Sequence, residues 1–179
     1  MICWGAQLET GSVATSYIPT TAGTGSRSAD VISVSGAVSG SIGQTEGTIY
    51  AEVDVRNFTN SARVIALSDG TGANLISLQI LNPDRIRVTV NASSSSQADF
   101  SAVMPAGVNK LALAYAQNNI ALYLNGTKIG EDFTCLIPAT NKVDLGNQNG
   151  GTFLNDRIRA AALYTTRLTN AELATLTTL

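Results

Sequence analysis

Glu52-Val53-Asp54 puts two carboxylates two residues apart. On a strand both would project from one face, where they could hold a cation or share acid–base work. Asn57 and Asn60 follow closely and could add oxygen ligands for calcium, which prefers oxygen donors and tolerates irregular geometry. The plainer alternative is a solvent-facing strand whose acids pair with Arg87 or Arg85 across a sheet. Asp69-Gly70-Thr71-Gly72-Ala73-Asn74 is a second oxygen-rich run open to two readings. Asp69 and Asn74 could supply calcium donors, or Asp69 could cap its own backbone in a Gly-rich turn. The chain contains no histidine, which excludes Ser-His-Asp, Cys-His and zinc hydrolase mechanisms within it. Cys3 and Cys135 lack metal or redox spacing and read as small hydrophobes.

Sugar binding generally requires an aromatic plate for the apolar ring face and planar polar groups for the hydroxyls. Aromatic residues make up only 6% of the chain, so few plates are on offer. Tyr50 and Tyr123 fall opposite the apolar phase of their segments and are the surface candidates, whereas Tyr115 shares a phase with Leu111 and Leu113 and belongs to a core. Tyr50, Glu52, Asp54, Arg87 and Tyr123 are therefore the candidate carbohydrate contacts. The 11 basic residues are scattered singly and the net charge is −2, so nothing matches the positive stripe that neutralises nucleic-acid phosphates. No apolar run approaches the ~20 residues needed to insert across a membrane, and the N-terminus lacks the basic start and apolar stretch of a signal peptide.

The elements that must position these groups are mostly short strands. Ile49, Ala51, Val53 and Val55 alternate with Tyr50, Glu52, Asp54 and Arg56, the period of two that marks a half-buried strand. Similar segments lie at 63–67, 75–81, 85–90, 110–116, 120–124 and 158–164, separated by polar turns. Asn125-Gly126 predicts a type I′ hairpin, since both residues tolerate positive φ. Ser93-Ser94-Ser95-Ser96 reads as a solvated loop. Thr169-Asn170-Ala171-Glu172 fits a capping box ahead of a short helix, with Leu173 and Leu176 on the face that packs against the strands. Ala112, Ala114 and Ala116, with Ala121 in the next strand, leave a face of small side chains for a covering segment, residues 1–28 among the possibilities, or for a subunit contact. Residues 1–28 read as a linker arm and 29–179 as one sandwich domain.

The phrase Trp4-Gly5-Ala6-Gln7-Leu8-Glu9, continued by Ala14-Thr15-Ser16-Tyr17-Ile18-Pro19-Thr20, resembles a junction between modules of tailed-phage structural proteins. Gly47-Thr48-Ile49-Tyr50-Ala51-Glu52-Val53, the Leu67-Ser68-Asp69-Gly70-Thr71 turn, the Asn125-Gly126 hairpin and the closing strand and helix are similar to concanavalin A-like or laminin G-like domains. The resemblance implies an all-β, two-sheet jelly roll with a short C-terminal helix. It also implies a place in a tail fibre or tailspike, beside a preceding module, with Trp4 packed at the junction. Synthesis would be in the host cytoplasm and the destination the virion. The expected partners are a host cell-surface polysaccharide and the other tail modules. Fibres of this kind are commonly homotrimers, although nothing in the sequence sets the number.

Glu52-Val53-Asp54 is also similar to the acid motif of retaining β-glucanases on this fold, which complete it with a second glutamate. Arg56 and Asn57 occupy the two positions where that glutamate would fall. A retaining hydrolase needs two carboxyl groups about 5 Å apart, so the expectation is a binder and not an enzyme. Legume lectins use a similar Glu-x-Asp for paired metal ions but finish the site with a histidine, which this chain lacks. Two alternatives remain: a structural or trimerisation module without a ligand, and a glycosidase that borrows Asp84, Asp99 or Glu131 as the second acid.

Overall fold

The computed structural model describes residues 7–9, 16–20, 22–26, 28–36, 40–58 and 61–179. Cys3, Trp4 and Asn60, named above, lie outside them. The chain divides into two compact units, Met1–Asp30 and Val31–Leu179. Within the first, the Ile18 N–H donates to Gln7 Oε1 at 2.7 Å.

The second unit is a sandwich of antiparallel strands. In chain order these are β1 (Ile32–Ser35), β2 (Glu46–Val55), β3 (Ala62–Ser68), β4 (Leu75–Leu81), β5 (Arg85–Ala92), β6 (Ser95–Val103), β7 (Gly107–Ala116), β8 (Ile120–Leu124), β9 (Thr127–Asp132), β10 (Lys142–Leu145) and β11 (Arg157–Tyr164), followed by helix α1 (Asn170–Thr177). One sheet has six strands in the order β1-β10-β3-β4-β5-β6, and the other has five, ordered β11-β2-β7-β8-β9. The fold class expected from the sequence, an all-β two-sheet sandwich with a short terminal helix, is what forms. Period-two alternation builds the core: Ile49, Val53 and Leu111 from one sheet meet Leu67, Leu78, Ile86 and Val88 from the other, all buried. Tyr115 joins them as expected. Its hydroxyl donates to the Gly43 carbonyl at 3.0 Å, and burial pushes the phenol up to about 12.

Local chemistry sets the connections. Asn125 and Gly126 have φ of 49° and 82°, the paired positive values of the expected hairpin. The serine run behaves differently from expectation, because Ser93 and Ser94 take φ of 49° and 65° and turn the chain at once. Ser95 and Ser96 already belong to β6. Strands β1, β6 and β10 were not anticipated, since two are only four residues long and β6 carries mostly small and polar side chains. Gly130 lies where an added Cβ would come within 2.3 Å of the Phe100 ring, so glycine lets β9 approach β6 across the gap between the sheets.

Helix α1 begins with the anticipated capping box. The Glu172 N–H donates to Thr169 Oγ1 at 3.3 Å, and the Thr169 N–H donates back to Glu172 Oε2 at 2.7 Å. Leu173 packs on the outer face of the five-stranded sheet against Ala112, Ala114, Ala121 and Tyr123. The covering segment for the alanine-rich face is thus α1. A subunit contact through those alanines is not open, because the chain's own helix occupies them. No helix among the described residues is long and apolar enough to cross a membrane.

Candidate functional site

The five candidate carbohydrate contacts do not converge. Tyr50, Glu52 and Asp54 lie on β2 in the five-stranded sheet, whereas Arg87 lies on β5 in the six-stranded one. Each points away from the core of its own sheet, so Arg87 and the β2 acids are on opposite sides of the sandwich. The pairing of these acids with Arg87 or Arg85 is therefore corrected. Glu52 sits 3.5 Å from Arg159 Nε, and Asp54 accepts from Arg56 at 3.3 Å, which holds its carboxyl below the ordinary value. Arg87 instead makes a two-pronged contact with Asp99. Tyr123 is also corrected as a surface plate: only 7% of it is exposed, because α1 covers the outer phase of β8. Tyr50 is half-buried beside the same cluster, and its phenol is pushed up first by that burial and then by Glu52.

The calcium candidates form a closed hydrogen-bonded turn. Asp69 Oδ1 accepts from the Thr71 N–H and hydroxyl at 2.8 and 2.6 Å, and Asp69 Oδ2 accepts from Asn74 Nδ2 at 2.7 Å. Asn74 Oδ1 accepts from the Ser93 N–H at 3.0 Å. Asn74 therefore turns its amide nitrogen, and not its oxygen, towards Asp69. These bonds hold Asp69 below the ordinary carboxyl value, the Thr71 hydroxyl contributing most. Among the described residues, no group of three or more His, Cys, Asp or Glu is placed to hold a metal ion.

Polar groups gather instead on the outer face of the six-stranded sheet. Register aligns Arg63 with Gln79, Gln79 with Arg87 and Arg87 with Ser101 in one row across β3 to β6. A second row runs Asp144, Ala66, Ser77, Thr89 and Asp99. Ser77 and Gln79 point away from the core yet are only 0% and 2% exposed. They form a recessed floor below a rim of half-buried Arg63, Arg87, Thr89 and Lys142 and exposed Asp99 and Asn149. Ala66 keeps the middle of that floor low.

The bonding of this face is incomplete. Gln79 Nε2 donates to Thr89 Oγ1 at 2.6 Å, and Arg63 Nε donates to Gln148 Oε1 at 2.6 Å. Buried Asp144 is paired with Lys142 at 3.1 Å and accepts from the Asn149 N–H at 3.1 Å. Arg63 Nη1, Ser77 Oγ and Asp144 Oδ1 are buried without a hydrogen-bond partner, the last having only the ion-pair contact with Lys142. A loop leads from β10 over β3: the Gly146 N–H donates to Val64 O at 2.9 Å and the Arg63 N–H to Thr152 O at 2.9 Å. That loop brings Gln148 to Arg63. Burial, with Arg87 as the neighbouring charge, brings the Arg63 guanidinium down to about 10. A shallow depression of about 430 Å³ on α1, lined by Leu168, Ala171, Glu172, Thr175 and Leu176, is by contrast mostly apolar.

Of the five candidate carbohydrate contacts only Arg87 belongs to this face. Arg63, Ser77, Gln79, Thr89 and Asp144 were missed, and Asp99 was named only as a borrowed acid. One signal was present: Ser77 and Gln79, like Arg87 and Thr89, interrupt apolar strands at every second position.

Residues 26–174 match the family model described as the concanavalin A-like lectin/glucanases superfamily. The chain belongs to that superfamily. Among solved structures, this concanavalin A-like chain is similar to the Ruminococcus gnavus IT-sialidase CBM40 bound to α2,3-sialyllactose. The two are 19% identical with a TM-score of 0.66, over 84% of this chain and 97% of that one. A Streptococcus pneumoniae NanB sialidase is 16% identical with a TM-score of 0.62, over 80% of this chain but 26% of that one. The heptameric SAP-like pentraxin of Limulus polyphemus is 15% identical with a TM-score of 0.55, over 73% of this chain and 68% of that one. At these identities the likeness is one of concanavalin A-like fold. No curated protein sequence matches the chain.

Proposed function

We propose that the chain is a non-catalytic carbohydrate-binding module whose glycan lies on the outer face of the six-stranded sheet. The observation that carries this reading is the recessed polar floor of Ser77 and Gln79 beneath a rim of charged and hydroxyl groups. Donors and acceptors fixed on rigid strands suit a polyhydroxylated ligand. The sialyllactose bound to the similar CBM40 structure supports carbohydrate binding, without bearing on which face takes it.

Two acids that a hydrolase would have to recruit are badly placed for Glu52. Asp99 lies on the opposite side of the sandwich and is engaged by Arg87, and Asp84 sits in the β4–β5 connection of the other sheet. Glu131 shares the sheet of Glu52 but stands on β9, with β7 and β8 between, and pairs with Lys128 at 2.6 Å. The finer setting is a virion. The junction phrase supports a tail fibre or tailspike, made in the host cytoplasm, whose module recognises a host cell-surface polysaccharide beside other tail modules, in a homotrimer.

Titration of the folded chain with a panel of neutral and acidic oligosaccharides tests the central reading. Binding that weakens in Gln79→Ala and is unchanged in Tyr123→Phe is the expected result. Silence across the panel removes it. Light scattering addresses assembly, where a monomer would sink the trimer.

A further inference from the structure

We infer that the glycan taken by this face carries a carboxylate, gripped between Arg63 and Arg87 above Gln79. This rests on the reading of the six-stranded sheet as the glycan face and specifies what that face selects.

The charge balance of the face is the starting point. The two acids there are already taken: Arg87 has Asp99, and Lys142 has Asp144 at 3.1 Å. Arg85 and Arg63 have only neutral partners there: Arg85 donates to Ser101 Oγ and O, whereas Arg63, one of whose terminal nitrogens is buried, donates from Nε to the Gln148 side-chain carbonyl, and the charge that bears on it is the like charge of Arg87. A buried guanidinium without a counter-charge is costly, and the cost is relieved by an anion. The floor beneath adds only neutral groups, so the local surplus is positive although the whole chain carries −2.

Geometry then narrows the anion. Arg63 and Arg87 flank Gln79 on the two neighbouring strands, so both forks rise from one row of the sheet. Arg87 spends Nε and Nη2 on Asp99, which fixes its plane and leaves Nη1 uncommitted in that contact. Arg63 spends Nε on Gln148 and has no hydrogen bond at Nη1. Nη1 therefore holds donors that no partner uses, and presenting them to a ligand exchanges the Nε bond to Gln148 for bonds to the anion, because the guanidinium turns as one plane. Two planar forks side by side match the two oxygens of a carboxylate, and charge-assisted bonds of this kind are about twice as strong as neutral ones.

The test is calorimetric titration of the full chain at neutral pH with 3′-sialyllactose and an oligogalacturonate, each beside its methyl ester, and with lactose. At least one acid binding about tenfold or more tighter than its ester is the expected result. Esters that bind as well as their acids, or lactose alone binding, would overturn the inference while leaving the glycan reading in place. Silence from every probe overturns both. Arg63→Gln should abolish the preference for acid over ester while thermal stability stays equal or rises, because an uncompensated charge is removed. A preference that survives in folded Arg63→Gln overturns the inference. Arg87→Lys gives an independent check, since it keeps the charge but loses the fork, and the preference should shrink.

Discussion

Two buried hydroxyls, one on each outer face of the sandwich, are treated in opposite ways. Thr48 on the five-stranded sheet is 1% exposed; its Oγ1 donates to Thr166 O at 3.0 Å and accepts from the Leu168 N–H at 2.9 Å. Ser77 on the six-stranded sheet is 0% exposed and its Oγ has no hydrogen-bond partner. The first hydroxyl fastens the segment leading into α1, so that face is completed by the chain itself. The second belongs to a face whose polar groups the chain leaves partly unmatched. Buried polar atoms are nearly always bonded, to protein or to water, so the unmatched atoms set this face apart from the one that α1 completes.

The largest effect that would break this contrast comes from removing the cover. Leu173→Ala should cost about 3 kcal/mol, read by urea unfolding, because this fully buried side chain anchors α1 to the alanine face. A loss well below 1 kcal/mol would mean that the helix is not part of the folded unit. Thr48→Val should cost about 1–2 kcal/mol by the same measurement, since it strands the Leu168 N–H and the Thr166 carbonyl.

A smaller effect is expected on the open face when the pH falls. Arg87 holds the Asp99 carboxyl below its ordinary value, so the pair's contribution is complete above the unfolded value of about 3.9 and is lost as the pH falls through the lower folded one. Both side chains are more than a third exposed or close to it, 35% and 41%, which limits the contribution to under about 1 kcal/mol. Carbon-detected NMR titration of Asp99 would read the midpoint, and an ordinary value would remove the pairing in solution. The smallest effect belongs to Ser77→Ala, which should leave stability within about 0.5 kcal/mol of the parent because no bond is lost. A cost equal to that of Thr48→Val would erase the distinction between the faces.

The legible parts of this fold are those fixed by neighbours in sequence. Alternation in β2 and β5, the Asn125-Gly126 turn and the Thr169-Glu172 cap depend on residues at most a few positions apart. Period two reports which side of a strand faces the core, but not which of two sheets the strand joins. Arg87 was therefore grouped with Glu52, although the sandwich separates them. Nor does the outward phase mean solvent. Tyr123 is outward and roofed by α1, whereas Gln79 is outward and sunk below its neighbours. Arg63 was hidden by the irregularity between Arg63 and Ile65, which breaks the alternation where the residue sits.

The loop that delivers Gln148 is fastened to β3 through main-chain bonds, Gly146 N–H to Val64 O and Arg63 N–H to Thr152 O. Main-chain fastening is indifferent to side-chain identity, so positions 148 and 151 can be randomised in a display library while Asn149 and Gly150, whose φ of 50° and 72° suit Asn-Gly, keep the turn and the sheets stay as they are. The scaffold thereby offers an interchangeable cartridge, and selection at those positions would retune what the arginines meet without a new protein having to be folded.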